Sequence, residues 1–223
     1  VVTIDAPIDA PIDAPIDAVL WDFGGIFTPS PFGAVHAYAE AQGVDPVTFT
    51  ELLFGPYDTD TDHAWHRLER GEMSFIDAWR EIATEAGGQG VELDLGEILT
   101  ALVQGDDRTM VVETVRAVRA RGVRTAIVTN NIREYGDAWR TLVPVDELFD
   151  VVVDSSAEGI RKPDPRIFML TLERLGVADP TRAVFLDDFD GNVAAADALG
   201  MHTILVGADP RPAMDELLAL LDA

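Results

Sequence analysis

The chain has 223 residues, no cysteine and a formal charge of −24 at pH 7, with 40 acidic against 16 basic side chains. The lack of cysteine excludes disulfides and thiolate chemistry, and a chain this acidic repels nucleic acid and anionic membrane surfaces. No apolar run approaches the roughly 18 residues of a membrane span, and no basic-then-apolar segment opens the chain. A soluble, cytoplasmic protein is expected, monomer or homodimer, whose anionic ligands need a local positive centre.

Residues 4–19 repeat a four-residue unit, IDAP three times and then IDAV. Proline at every fourth place blocks helix and central strand, so residues 1–17 are expected to form an extended, solvated leader. The stretch 18–28, AVLWDFGGIFT, follows. Val19-Leu20-Trp21 reads as a buried strand that ends on Asp22, and Gly24-Gly25 let the chain turn. A positive φ is expected at Gly24, which would resist a side chain there.

From 29 to 106 the pattern turns helical. Phe32 to Gln42 is a helix stopped by Gly43, and Asp45-Pro46 starts a second. Residues 59–88 carry two more, divided at Gly71 with Ser74 as a cap, and Asp94 to Leu102 is a fifth. This block interrupts an alternation of strands and helices that resumes at 107, so it is expected to be an inserted helical cap.

After it, helices are predicted at Thr109–Arg121, Pro165–Leu175, Asn192–Leu199 and Met214–Leu221. Strands are predicted at Arg124–Val128, Phe149–Val153, Ala183–Leu186 and Thr203–Val206. The fold expected is α/β: a doubly wound, Rossmann-like parallel sheet over 18–28 and 107–223, with the cap at 29–106.

Polar residues end successive strands: Asp22, then Thr129-Asn130, then Asp187-Asp188. Lys162 follows a fourth strand in the loop GIRKPDPRIF and is the one lysine beside fifteen arginines. Each alone reads as turn or cap chemistry. Together they fall at the carboxyl edge of one parallel sheet, where open α/β sheets bind ligands. Converging carboxylates cannot all ionise without a cation.

These four stretches, DFGG, VTNN, GIRKPDPRIF and FLDDFDGN, resemble the motifs of the haloacid dehalogenase superfamily, over residues 18–207. The phrase WHRLERGEMS in the helical block is similar to members related to α-glucose-1-phosphatases and to the phosphatase domain joined to epoxide hydrolases. The resemblance implies a hydrolase that cleaves a small phosphorylated metabolite through an aspartyl-phosphate. It implies Asp22 as nucleophile and Mg²⁺ held by Asp22, the Gly24 carbonyl and Asp188. Asp187 would stand beside the metal, with Asn192 in support. Thr129, the Asn130 backbone, Gly25 and Lys162 would hold the phosphoryl oxygens, Lys162 also neutralising the nucleophile.

The chain departs from that pattern at Gly24, where the superfamily's phosphatases carry a second Asp that protonates the leaving group. Dehalogenases also lack this Asp, but they have Tyr there and replace the paired acids that remain here as Asp187-Asp188. A third reading is a phospho-ligand or partner-binding protein without turnover. Any surrogate acid is expected from the helical block, where His63, Arg67 and Arg70 share one helix face and Trp65 and Glu69 another, with His66 between. Trp65 reads as core, Trp21 and Trp139 as packing residues, and His36 and His202 as structural. Arg133, just after VTNN, lies within sequence reach of the crevice.

Overall fold

A computed structural model describes residues 15–98 and 108–222. Its centre is β1 (Ala18–Trp21), four residues with every side chain buried. A strand buried on both faces must have neighbours on both edges, and β1 has them. It pairs in parallel with β2 (Arg124–Thr129) on one side and with β4 (Ala183–Asp187) on the other. β3 (Val151–Asp154) and β5 (His202–Leu205) complete a five-stranded sheet in the order β3-β2-β1-β4-β5. All four pairings are parallel.

The two-residue period of the strands divides the core. Val19, Trp21, Ile127, Val184, Leu186 and Ile204 face one layer. It is covered by α5 (Thr109–Ala120) and α10 (Arg211–Leu221). Leu20, Ala126, Val128, Val153 and Phe185 face the other. It is covered by α8 (Pro165–Leu175) and α9 (Asp190–Asp197). Leu20 is fully buried, and truncating such a side chain to Ala costs about 2–5 kcal/mol. The expected doubly wound parallel fold is the one observed.

Between β1 and α5 run α1 (Pro31–Gln42), α2 (Pro46–Phe54), α3 (Ala64–Glu69) and α4 (Phe75–Gly88). Their starts follow local chemistry: Asp45 accepts from Thr48 N, His63 from Trp65 N and Ser74 from Asp77 N. Gly43 closes α1 in the left-handed conformation. These helices bury a third apolar cluster, with Phe49, Leu53, Phe54, Leu68 and Ile82, which Ile132 joins from the loop after β2. Two short helices, α6 (Val145–Leu148) and α7 (Ser155–Glu158), flank β3.

The helix expected at Asp94–Leu102 lies partly outside the described residues, as does most of the IDAP repeat. Its last unit enters the core. Ile16 packs on the first cluster, and Asp17 pairs with Arg182 at 2.8 Å. No helix among the described residues is long and apolar enough to cross a membrane.

Candidate active site

The parallel register aligns the strand ends. Trp21 stands level with Ile127 and Leu186, so Asp22 emerges beside the end of β4. Asp22 N donates to Leu186 O at 2.9 Å, and Phe23 N donates to Asp22 Oδ1 at 2.7 Å. One oxygen from each of Asp22, Asp187 and Asp188 lies within 4.8 Å of the others.

Lys162 sits among these carboxylates, buried, with Nζ 2.8 Å from Asp22 Oδ1 and 2.6 Å from Asp187 Oδ2. Its backbone is clamped by one side chain. Asn130 Oδ1 accepts from Lys162 N at 2.8 Å, and Asn130 Nδ2 donates to Lys162 O at 3.1 Å. The sequence reading used only the backbone of Asn130; its side chain holds the loop that delivers the ammonium. Thr129 ends β2 and is buried.

The paired acids differ. Asp187 is fully buried and engaged. It accepts from Phe189 N at 2.9 Å, from Asn192 Nδ2 at 3.1 Å on each oxygen, and from Lys162. Asp188 is bonded by Ser30, yet its Oδ2 is buried with no hydrogen-bond partner. A buried carboxylate oxygen without a donor is costly, and it is the group that a cation would satisfy.

Electrostatics agree. Burial pushes the Asp22 carboxyl well above its ordinary range, with Asp187 and Asp188 adding to the rise and Lys162 opposing it. Burial and Asp187 push Asp188 up to about 6. Burial pulls Lys162 down, but Asp187 and Asp22 more than offset it, so the ammonium is raised and stays charged. A divalent cation with oxygen ligands placed among the three carboxylates would offset the cost of their charge and let them ionise together.

The two turn glycines have different constraints. Gly25 has φ 73°, and a Cβ there would run into the Asp188 carboxyl. Gly24 is not in the left-handed region, and the nearest atom to a Cβ would be Pro31 Cδ at 3.9 Å. The positive φ expected at Gly24 belongs to Gly25 instead, because it is Gly25 that passes against Asp188.

Beside Gly24 and Thr129 opens a cavity of about 250 Å³ between the strand ends and α2–α3. Among the described residues, Glu69 is the one charged residue lining it. Tyr57 Oη and Trp65 Nε1 donate to Glu69 Oε1 at 2.6 and 2.8 Å, and Arg161 Nε donates to Oε2 at 2.7 Å. Arg161 is fully buried, with its guanidinium 4.5 Å over the Tyr57 ring. Tyr57 also accepts from Asn130 Nδ2 at 3.3 Å, and Ser155 Oγ donates to Glu69 O at 2.7 Å. This buried group joins α3 to the loops that carry Asn130 and Lys162.

Several expectations for the helical block change. His66 is fully buried, accepts from Thr61 N at 3.0 Å, and is pushed down to about 3, chiefly by burial and then by Arg161. The ring is therefore neutral near pH 7 and has no acidic proton to give. His63 caps α3, is lowered by burial, and does not line the cavity. Glu69 has both oxygens committed to donors. Arg67 pairs with Glu81, and Arg70 with Asp60 and Glu72, away from the cavity. Arg133 donates to Ser156 O instead of reaching the crevice.

Trp65 and Trp139, read as core and packing residues, do pack into the apolar clusters and also line the cavity, whereas Trp21 is wholly interior. His36 and His202 lie off the cavity. Arg161 and Tyr57 escaped sequence reading. Arg161 adjoins Lys162 in GIRKPDPRIF, but nothing local marks which of fifteen arginines is buried.

Comparison with other proteins matches residues 16–200 to the family described as haloacid dehalogenase-like hydrolase. The chain is 36% identical over 210 residues to acyl-CoA dehydrogenase family member 10 of Mus musculus, covering 92% of this chain but 19% of that protein. It is 28% identical over 192 residues to the sesquiterpene phosphatase astK of Aspergillus oryzae, covering 82% of this chain and 86% of that one. A HAD family enzyme of Bacteroides thetaiotaomicron, crystallised with magnesium and inorganic phosphate, superposes with a TM-score of 0.58 at 19% identity, over 87% of this chain and 96% of that one. At that identity the shared property is the fold.

Proposed function

Because the chain belongs to the haloacid dehalogenase-like hydrolases, we propose that it is a Mg²⁺-dependent phosphatase acting on a small phosphorylated metabolite. The observation that carries this reading is the set of three strand-end carboxylates within 4.8 Å, with Lys162 bridging Asp22 and Asp187. Phosphoryl transfer asks mainly for in-line positioning and neutralised charge.

In this reading Asp22 attacks phosphorus, the ester oxygen departs with its electron pair, and water then opens the aspartyl-phosphate. Lys162 stands between nucleophile and phosphoryl group, with Thr129, the Asn130 backbone and Gly25 around the phosphoryl oxygens. Mg²⁺ would be held by Asp22, the Gly24 carbonyl and Asp188, and would neutralise charge on the phosphoryl oxygens. Asp187 is spent on Lys162 and Asn192, which makes it an organiser of the site. Residues 29–106 act as a cap that excludes water and selects the substrate.

A halocarboxylate fits the site less well, since its own carboxylate would face three acids and a single ammonium. A pure binding role leaves the buried like charges without a use. With no carboxyl at Gly24, and His63, His66 and Glu69 unavailable as acids, no histidine or carboxyl group among the described residues of the cavity is free to protonate the leaving oxygen. Esters with good leaving groups are therefore preferred.

Phosphate release from an aryl phosphate, with and without Mg²⁺, tests the reading. Asp22→Asn should abolish turnover with the circular dichroism spectrum unchanged, and chelation should stop the wild type. Full activity in the variant would remove Asp22 from its role, and full activity after exhaustive chelation would remove the metal.

A further inference from the structure

We infer that the leaving group this site accepts is an aromatic ring system, so that the substrate is the phosphate monoester of an aryl hydroxyl; the inference rests on the phosphatase reading above. Seven of the sixteen described residues lining the cavity beside Gly24 and Thr129 are aromatic. Two ring pairs reach it from different layers. Phe23 meets Trp139 edge-on, centroids 4.7 Å apart at 69°, from the loops after β1 and β2. Phe54 meets Trp65 with centroids 4.8 Å apart, from α2 and α3. At the rim Tyr135 and Leu142 line the same cavity yet remain 47% and 61% exposed. Large apolar side chains left open around a concave site are what an apolar ligand covers.

What the cavity lacks narrows the class. No Lys, Arg or His is among its described lining residues, so a second phosphate or a carboxylate on the leaving group would be desolvated without a counter-charge. Sugar hydroxyls would find neither lining amide free. The Asn130 amide is spent on Lys162 and Tyr57, and the Asn131 amide on Asp154 and Ile132 N. Walls of rings favour a ring through stacked and edge-to-face contact. A dry cavity of ~150 Å³ takes one benzene, so about 250 Å³ has room for a fused pair.

Gly24 fits the same substrate. An Asp22 oxygen bonds to phosphorus as the P–O(aryl) bond breaks. The aryloxide takes the electron pair, is stabilised by its ring, and gains its proton from water. A second water attacks the acyl phosphate, releasing phosphate and restoring the carboxylate.

The test compares phosphate release by the full chain with Mg²⁺ from 1-naphthyl phosphate, acetyl phosphate and glucose 1-phosphate. Acetate is a better leaving group than naphtholate, so an advantage for the naphthyl ester reports ring binding and not leaving-group strength. The expected kcat/KM for naphthyl phosphate exceeds both others by at least about tenfold, mainly through KM. Trp65→Ala and Trp139→Ala should each raise that KM more than the KM for acetyl phosphate. Independently of any variant's folding, 1-naphthol should inhibit acetyl phosphate hydrolysis competitively in the wild type, and decanol and glucose should inhibit it at least about tenfold more weakly.

Acetyl phosphate or glucose 1-phosphate turned over as efficiently as the naphthyl ester would overturn this inference and leave the phosphatase intact. Decanol inhibiting as well as naphthol would overturn it in favour of an alkyl chain. No phosphate from any of the three would overturn both readings.

Discussion

Replacing Gly24 with Asp puts a carboxyl where the chemistry lacks one. The backbone accepts it: Gly24 is outside the left-handed region, and a Cβ there would have nothing closer than Pro31 Cδ at 3.9 Å. Losing the glycine even removes some unfolded-state freedom, about 0.4–1 kcal/mol in favour of folding where the native conformation suits a side chain. A positioned general acid contributes on the order of 10²–10⁴ in rate, or about 3–5 kcal/mol of barrier. That gain falls on esters whose leaving oxygen needs a proton and leaves nitrophenyl esters nearly untouched. The assay is a leaving-group series from nitrophenyl to simple alkyl phosphates on both proteins, with folding matched by circular dichroism. In the wild type log kcat/KM should fall steeply as leaving-group pKa rises. In the variant the slope should flatten, with alkyl esters gaining about 10²-fold or more and nitrophenyl esters less than about tenfold. Parallel slopes would refute the placement of the acid at this position, and a flat wild-type series would show an acid already present.

Asp188→Ala should weaken Mg²⁺ binding more than Asp187→Ala, while Asp187→Ala should cost more folding stability, because Asp187 holds Lys162 and Asn192 and Asp188 has a free oxygen. Calorimetric titration and urea unfolding separate the two, and equal effects on both readouts would undo the division. Glu69→Gln removes the nearer carboxylate from the fully buried Arg161 guanidinium and leaves Asp60 at 3.7 Å as its remaining ion-pair partner, a loss of up to about 3–5 kcal/mol; a change below about 1 kcal/mol in urea unfolding would mean that Asp60 compensates. His66 is held at about 3 against an ordinary 6.5. The neutral ring's contribution is therefore complete above pH 6.5 and is lost as pH falls from 6.5 toward 3. At about 1.4 kcal/mol per pH unit, the wild type should lose up to about 2 kcal/mol more than His66→Asn between pH 7 and pH 5. Equal losses would show that His66 titrates normally in the folded protein.

Much of the fold was legible because burial leaves a periodic trace. Val19 to Trp21, Arg124 to Val128 and Ala183 to Leu186 read as strands buried on both faces, and the sheet contains them with shifts of one residue at most. The strand at Phe149–Val153 begins two residues later, since Phe149 turns into the core beside Phe27. Polar residues after such runs also stand out, so Asp22, Thr129, Lys162, Asp187 and Asp188 are visible in the sequence as one sheet edge. Other features depended on distant partners. The sequence shows two glycines after Asp22 but not that Gly25 passes against Asp188 while Gly24 stands open. It shows fifteen arginines but not that Arg161 is the one buried on Glu69 and Tyr57. It scatters Phe23, Phe54, Trp65 and Trp139, which meet around one cavity only when α2 and α3 pack over the strand ends. Periodicity records that a side chain is hidden from water, which is a local property. What hides it, and whether the hidden face is a core or the wall of a cavity, is a relation between segments far apart in the chain, and only their packing decides it.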